Sequence, residues 1–243
     1  MIDLNSDVPK QLAQLFLKAL KIRVEEEHRP EQFPDYSERL YESGFRDVVQ
    51  RRSEQLANRL AELEPEDIAP AVVNQQIDEL FEGLLDFFII DQCRDINEVR
   101  LPQAILKYQQ SSLEEITLFQ LVMDYLDFES EPTETVYTDF LKMPANALKN
   151  ASRFFLFPSK DEHILFICDQ SLLGACKEGF AMTEYGLYWK AQLQTAKAVQ
   201  YPALHSIKRE KEWILINGHF FNASLPINIR LMKLMKKLYR LHQ

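Results

Sequence analysis

The sequence predicts two domains of different class: an acidic all-helical domain over residues 1–149, and over 150–243 a curled antiparallel sheet with a capping C-terminal helix, which fits an antiparallel β-barrel or another small α+β fold. Three observations carry this. Apolar residues recur at three- and four-residue spacing as far as about Phe154, then switch to alternation or short continuous runs. The charge divides with them: residues 1–131 hold 28 acidic and 13 basic side chains, against 9 and 15 in residues 132–243. The final segment returns to a helical period with lysines between its leucines. A chain of 243 residues can bury roughly seven-tenths of its extended surface, so it needs no metal or disulfide to hold a core.

In the first domain Leu12, Leu15, Phe16, Ala19 and Leu20 form one helix face. Pro30 and Pro34 bracket a break, since neither fits a helix interior. A second helix is expected from about Asp35 to Leu63, with Leu56, Leu60 and Leu63 on one side. Glu64-Pro65-Glu66-Asp67 supplies a stop and the acidic first turn of a third. That helix has the strongest face of the chain: Val73, Ile77, Leu80, Phe81, Leu84, Leu85 and Phe88. Pro102 opens a short helix, and Ser112 with Glu115 reads as a capping box before Ile116, Phe119, Leu121, Val122 and Leu126. Thr135 to Lys149 reads as a weaker helix interrupted near Pro144.

Strands are expected at Phe154–Phe157, His163–Cys168, Phe180–Thr183, Leu187–Trp189 and Tyr201–Ile207, the last at an edge or bulge because of Pro202. Thr183-Glu184-Tyr185-Gly186 is a short turn. Trp213–Ile216, Asn217-Gly218 and His219–Phe221 form the clearest hairpin, since Asn-Gly suits a type I′ turn. Arg230–Leu241 closes the chain as a helix whose Leu231, Leu234, Met235, Leu238 and Leu241 share a face, with Lys233, Lys236, Lys237 and Arg240 expected mainly off it.

Within this half, Ile164 through Asp169 and then Gly174 through Lys190, with Lys177-Glu178-Gly179-Phe180 as a hinge and Tyr188-Trp189-Lys190 as an aromatic pair before a lysine, resemble the pattern of bacterial pleckstrin-homology-like (PH-like) domains. Leu204-His205-Ser206-Ile207 and Trp213 through Gly218 continue it, with His205 departing from the acidic or small polar residue of that pattern. The resemblance covers about residues 150–243 and leaves 1–149 unrecognised. It implies a PH-like barrel closed by the terminal helix, and a binding or scaffolding module.

The sequence offers little catalytic chemistry. The five histidines form no His-Glu-x-x-His, the three cysteines no Cys-x-x-Cys, and six glycines build neither Gly-x-Gly-x-x-Gly nor a phosphate loop. No metal and no cofactor is expected. Asp161-Glu162-His163 and a Cys176–His205 pair are the remaining acid–base or nucleophile candidates, with solvated loops and core thiols as their plain alternatives. Asp78, Glu82 and Asp86 share a helix face and read as a solvated acidic stripe, a docking surface for a basic partner, or a metal site lacking the Glu-x-x-His pattern of di-metal bundles.

Scattered cysteines point to a reducing compartment, no run approaches the roughly 20 apolar residues of a membrane span, and Asp3 and Asp7 stand where a signal peptide would be basic and apolar. The expected location is the cytoplasm. An acidic half beside a basic one argues against a uniform nucleic-acid surface. The expected function is a non-enzymatic interaction or scaffolding protein whose C-terminal domain binds a protein partner, with Lys177, Lys190, Lys208, Arg209 and Lys211 as candidate contacts. Two alternatives stay open: the same lysines on an anionic lipid surface, or a hydrolase or nucleotide-handling site in the helical half. Oligomeric state is left open.

Overall fold

The computed structural model describes residues 6–62, 69–109 and 111–242. Asp3, Leu63 and the Glu64-Pro65-Glu66-Asp67 stop, all used in the sequence reading, lie outside the described residues. The chain divides into two compact units, residues 1–110 and 111–243.

The first unit is a helical bundle. Helix α1 (Val8–Glu27) starts at Asp7, whose carboxylate accepts from the Lys10 amide at 3.1 Å, and it buries Leu12, Phe16, Leu20 and Val24 along one seam. The single helix expected from 35 to 63 is two, α2 (Phe33–Glu42) and α3 (Phe45–Ala61), because Gly44 takes the left-handed φ of 71° between them. Helix α4 (Pro70–Phe87) carries the predicted apolar face and runs into a π-helical turn over Phe88–Gln92. Side chains hold that wider ring: Asn97 Nδ2 donates to Ile89 O at 2.7 Å, and Arg39 donates to Gln92 O at 2.5 Å. Arg39 also grips Asp95 through two bonds of 2.7 Å, while Asn97 Oδ1 accepts from the Tyr36 hydroxyl at 2.9 Å.

The second unit begins with the Ser112–Glu115 capping box, which closes a 3₁₀ turn over Leu113–Glu115 ahead of α5 (Leu118–Leu126). Thr135–Tyr137 is not helical as expected but a strand, β1, and Pro144 precedes the helix α6 (Ala145–Phe154). The expected strand at Phe154–Phe157 is absent: Phe154 ends α6 and the chain runs irregularly to β2 (Ile164–Asp169). An antiparallel meander follows, β3 (Gly179–Thr183), β4 (Gly186–Lys190) and β5 (Lys197–Gln200), giving a five-stranded sheet in the order β1-β2-β3-β4-β5. Every residue of β3 is buried. On one face Ile167 and Ala181 meet Ala147, Ala151 and Phe155 of the α6 region. On the other, Phe166 and Phe180 make an edge-to-face pair with ring centroids 5.6 Å apart, extended by Phe221 at 5.2 Å from Phe180.

Strands β6 (Ile207–Glu210), β7 (Trp213–Ile216) and β8 (His219–Phe221) form a separate three-stranded sheet. Its last hairpin turns through Asn217 and Gly218, with φ of 49° and 78°, the left-handed pair a type I′ turn requires. The terminal helix, α7 (Leu225–Leu241), starts five residues earlier than expected and packs on α5, β6 and β7. Arg230 on α7 donates to the carbonyls of Leu126 and Asp127 at 3.2 and 3.3 Å and to Glu131 Oε1 at 3.2 Å, capping the end of α5. Lys233 and Lys237 are buried along with the leucines, contrary to the expectation that they face solvent.

These sheets overturn the PH-like reading. The expected PH-like β-barrel is replaced by two small open sheets, and among the described residues no ladder joins β5 to β6 or β8 to the first sheet. Two features keep them open. After Gln200 the chain enters a 3₁₀ turn, Tyr201–Ala203, whose Pro202 has no amide hydrogen to donate to a ladder, so the strand expected over Tyr201–Ile207 does not form there. At the other end β1 already pairs with the outer side of β2, Val136 opposite Cys168, and takes the edge that closure would use. The resemblance of residues 150–243 to bacterial PH-like domains is therefore one of short motifs and not of fold.

Candidate functional site

Two surfaces of the second unit carry the candidate residues. The first is a groove of about 620 Å³ lined by the β2–β3 loop, the start of the β4–β5 loop and the β8–α7 connection. Asp169, at the end of β2, shapes the first loop: Oδ1 accepts from the Ser171 amide at 2.8 Å and from its hydroxyl, and Oδ2 accepts from the Cys176 amide at 3.0 Å. Asn150 of α6 donates to Ala175 O at 2.7 Å, bracing the loop from below. Asn228, fully buried in α7, shapes the third wall, donating to Glu212 O and Asn222 Oδ1 at 2.6 and 2.9 Å and accepting from the Ala223 amide at 2.8 Å.

Lys177 and Lys190 both line this groove. Lys177 is exposed, its Nζ 5.9 Å from the Phe154 ring centroid, while Lys190 pairs with Glu178 at 3.3 Å. The rim is strongly apolar. Leu172 and Leu173 are 88% and 94% exposed, and Leu193, held at a left-handed φ of 60° in the neighbouring loop, is 94% exposed.

The second surface is the outward face of β6–β8. Strand alternation sends Ile214, Ile216 and Phe221 inward, where all three are buried. Outward, Lys208, Leu215 and Phe220 form one cross-strand row, and Glu210 stands opposite Trp213. The Trp213 and Phe220 rings lie 6.0 Å apart, Trp213 half-buried and Phe220 exposed. Arg209 folds back so that its Nε donates to Lys211 O at 2.7 Å, and Lys211 takes the tight β6–β7 turn at φ 59°.

The five predicted contacts thus fall into two groups, Lys177 with Lys190 on one sheet and Lys208, Arg209 and Lys211 on the hairpin of the other. Sequence reasoning missed Leu172, Leu173, Leu193, Glu178 and Phe220. A signal existed for two of them: Ser171-Leu172-Leu173-Gly174 places an apolar pair inside turn residues, where leucine has no core to enter.

The other candidates are spoken for. Glu162 accepts from the Thr183 hydroxyl, the Tyr188 hydroxyl at 3.1 Å and the Ser159 amide at 2.8 Å, pinning its loop to the β3–β4 hairpin. His163 Nδ1 lies 3.2 Å from Glu184. Cys176 sits in the core cluster under α6, while His205 lies in an exposed turn held by Asn217, so the two form no pair. Burial pushes the thiols of Cys93 and Cys176 up to about 12 and that of Cys168 up further still, so none is a thiolate near neutral pH. In the first unit Glu82 and Asp86 face Arg23 of α1, with Asp86 at 3.1 Å and Glu27 at 3.3 Å, instead of forming a solvated stripe. Burial works against the Arg23 charge, but the three carboxylates outweigh it and hold the guanidinium protonated. Among the described residues no cluster of three His, Cys, Asp or Glu is placed to hold a metal, and no helix is long and apolar enough to cross a membrane.

Comparison with models of known protein families, with curated proteins and with solved structures finds no match to this chain.

Proposed function

We propose that this chain is a non-enzymatic interaction protein of the cytoplasm whose second unit binds a protein partner on the outward face of β6–β8. The observation that carries the reading is the Trp213–Phe220 pair on that face, flanked by Leu215 and Lys208. The solvent side of an antiparallel sheet ordinarily alternates to polar residues. Here a tryptophan, a leucine and a phenylalanine take those positions, the composition of an interface centre, where large aromatic anchors supply most of the binding energy. Exposed Lys208 and Lys211 at the rim favour a partner that edges its apolar contact with carboxylates, speeding encounter more than deepening affinity. Three buried free cysteines accord with a reducing compartment.

A photo-crosslinking amino acid placed at Lys208 in living cells tests this. The expected result is one dominant protein adduct that disappears with Phe220→Ser and weakens with Lys211→Glu while the fold is kept. No adduct, or one indifferent to Phe220→Ser, refutes it.

A further inference from the structure

Two loop tips carry a second contact, on grounds independent of the Trp213–Phe220 face. The meander places the β2–β3 and β4–β5 loops at the same end of the five-stranded sheet. Leu172 and Leu173 stand on the first loop, 88% and 94% exposed, and Leu193 stands on the second, 94% exposed. Both ends of the first loop are fixed with the leucines between them: Asp169 accepts from the Ser171 and Cys176 amides, and Asn150 donates to Ala175 O. The groove beside them gives no apolar shelter, since Gln170, Gln192, Asn222 and the Glu178–Lys190 pair line it. The leucines therefore stand as separate prongs among polar side chains and not as the continuous patch of a protein interface centre.

Cations gather beside the first loop. Its brace, Asn150, lies on α6 between Lys149 and Arg153, which are one helical turn apart. The Arg153 guanidinium and the Lys177 ammonium both lie against the Phe154 ring, 5.7 and 5.9 Å from its centroid. All three cations are exposed, and among the described residues no carboxylate pairs with them; the adjacent Glu178 is taken by Lys190 at 3.3 Å. We propose that this end of the second unit docks on an anionic bilayer surface. Leu172, Leu173 and Leu193 enter the acyl boundary, while Lys149, Arg153 and Lys177 lie among the anionic headgroups. Reversible membrane docking gains its strength from two signals together, apolar insertion and a basic patch, and both are present here. A fluid hydrocarbon phase closes around separate prongs, whereas a protein surface would need a socket for each. The polar groove then falls at headgroup level, where its amides and ion pair stay solvated.

Sedimentation of the intact protein with vesicles of phosphatidylcholine alone, or with about one-third phosphatidylserine, is the test. The expected result is binding to the anionic vesicles only, released by rising salt. Leu172→Ser with Leu173→Ser should weaken it at least about tenfold, with circular dichroism and melting temperature unchanged. Lys177→Glu should weaken it too and flatten its salt dependence. Leu141→Ser is the control: that leucine is 98% exposed but belongs to neither loop, and its loss should leave binding intact. The three native cysteines are buried, so an environment-sensitive dye can be placed on Leu173→Cys alone, which keeps the test decisive if the double variant misfolds. Its emission should shift to the blue with anionic vesicles and stay unchanged with inorganic phosphate or with added unlabelled protein. A protein that stays in the supernatant with anionic vesicles at low salt overturns the inference. So does binding that survives the leucine changes, binding that Leu141→Ser abolishes equally, or a dye that responds to added protein and not to vesicles.

Discussion

Alanine at Gly179 should be among the most damaging single-methyl additions in this chain. The residue opens β3 at a φ of 144°, a region that side-chain-bearing residues avoid, and stands between Asp169 of β2 and Lys190 of β4. A Cβ there would lie 2.1 Å from the Cys168 carbonyl oxygen and 3.2 Å from the Gln170 nitrogen. Both are backbone atoms of the neighbouring chain segment, so no rotamer change relieves the contact. The strained dihedral costs about 1–3 kcal/mol, and forcing a methyl into a packed site about 1–3 kcal/mol. A loss of about 2–6 kcal/mol follows, a large share of the 5–15 kcal/mol typical of a folded domain. Two other glycines separate the causes. Gly186 has an ordinary φ but would place its Cβ 2.5 Å from Val199 O, so Gly186→Ala reports the clash alone. Gly218 has a φ of 78° and open space, so Gly218→Ala reports the left-handed backbone alone, about 1–2 kcal/mol. Guanidinium unfolding followed by tryptophan fluorescence suits all three, because both tryptophans, Trp189 and Trp213, lie in the second unit. Gly179→Ala within about 1 kcal/mol of the parent, or milder than Gly218→Ala, would refute the reasoning.

Leu234→Ala should cost about 2–5 kcal/mol, because its side chain is fully buried in α7, and an unshifted thermal midpoint would show that this helix is not integral to the unit. The Arg39 fork holds the Asp95 carboxyl near 2, so this pair should stabilise the fold above the ordinary carboxylate range of about 4 and lose that contribution as pH falls toward 2. Arg39→Met should return Asp95 to the ordinary range in a carbon-detected NMR titration, and a parent Asp95 that already titrates there would count against the fork.

What was legible in the sequence was whatever a local rule dictates. Asn217-Gly218 announced its turn because few residues accept two successive left-handed positions, and the faces of α1 and α4 announced themselves by spacing. The break at Gly44 was visible in principle, as a glycine after a serine inside a long helical pattern, and was outweighed by the leucines that follow. Strand β1 and the open sheets were not legible, because edge pairing is a tertiary choice: Thr135–Tyr137 is a strand only because β2 offers it an edge. Lys233 and Lys237 misled for a related reason. Their spacing on α7 is that of a solvated face, yet this helix is covered on nearly every side. At the candidate site the lysines could be nominated one by one, but no one-dimensional rule brings Gln170–Glu178, Lys190–Gln192 and Phe220–Ala223 around one groove.

The unclosed sheets leave β5 at one margin and β6 at another, each a four-residue strand paired on one side only, with β4 and with β7, and its outer edge facing no strand among the described residues. Such edges are templates for runaway cross-strand growth, the first step toward fibrils, and chains that keep them in water need a deterrent. The margins here carry one. Lys197 lies on β5, Lys208 and Arg209 lie on β6, and Pro202, two residues beyond β5, has no amide hydrogen to offer an incoming strand. The basic side chains on these margins therefore have a task that requires no partner at all: keeping neighbouring molecules from zipping together at high concentration. Neutralising Lys197 and Lys208 together would expose that task as turbidity on prolonged incubation, with the monomer's melting temperature unaltered.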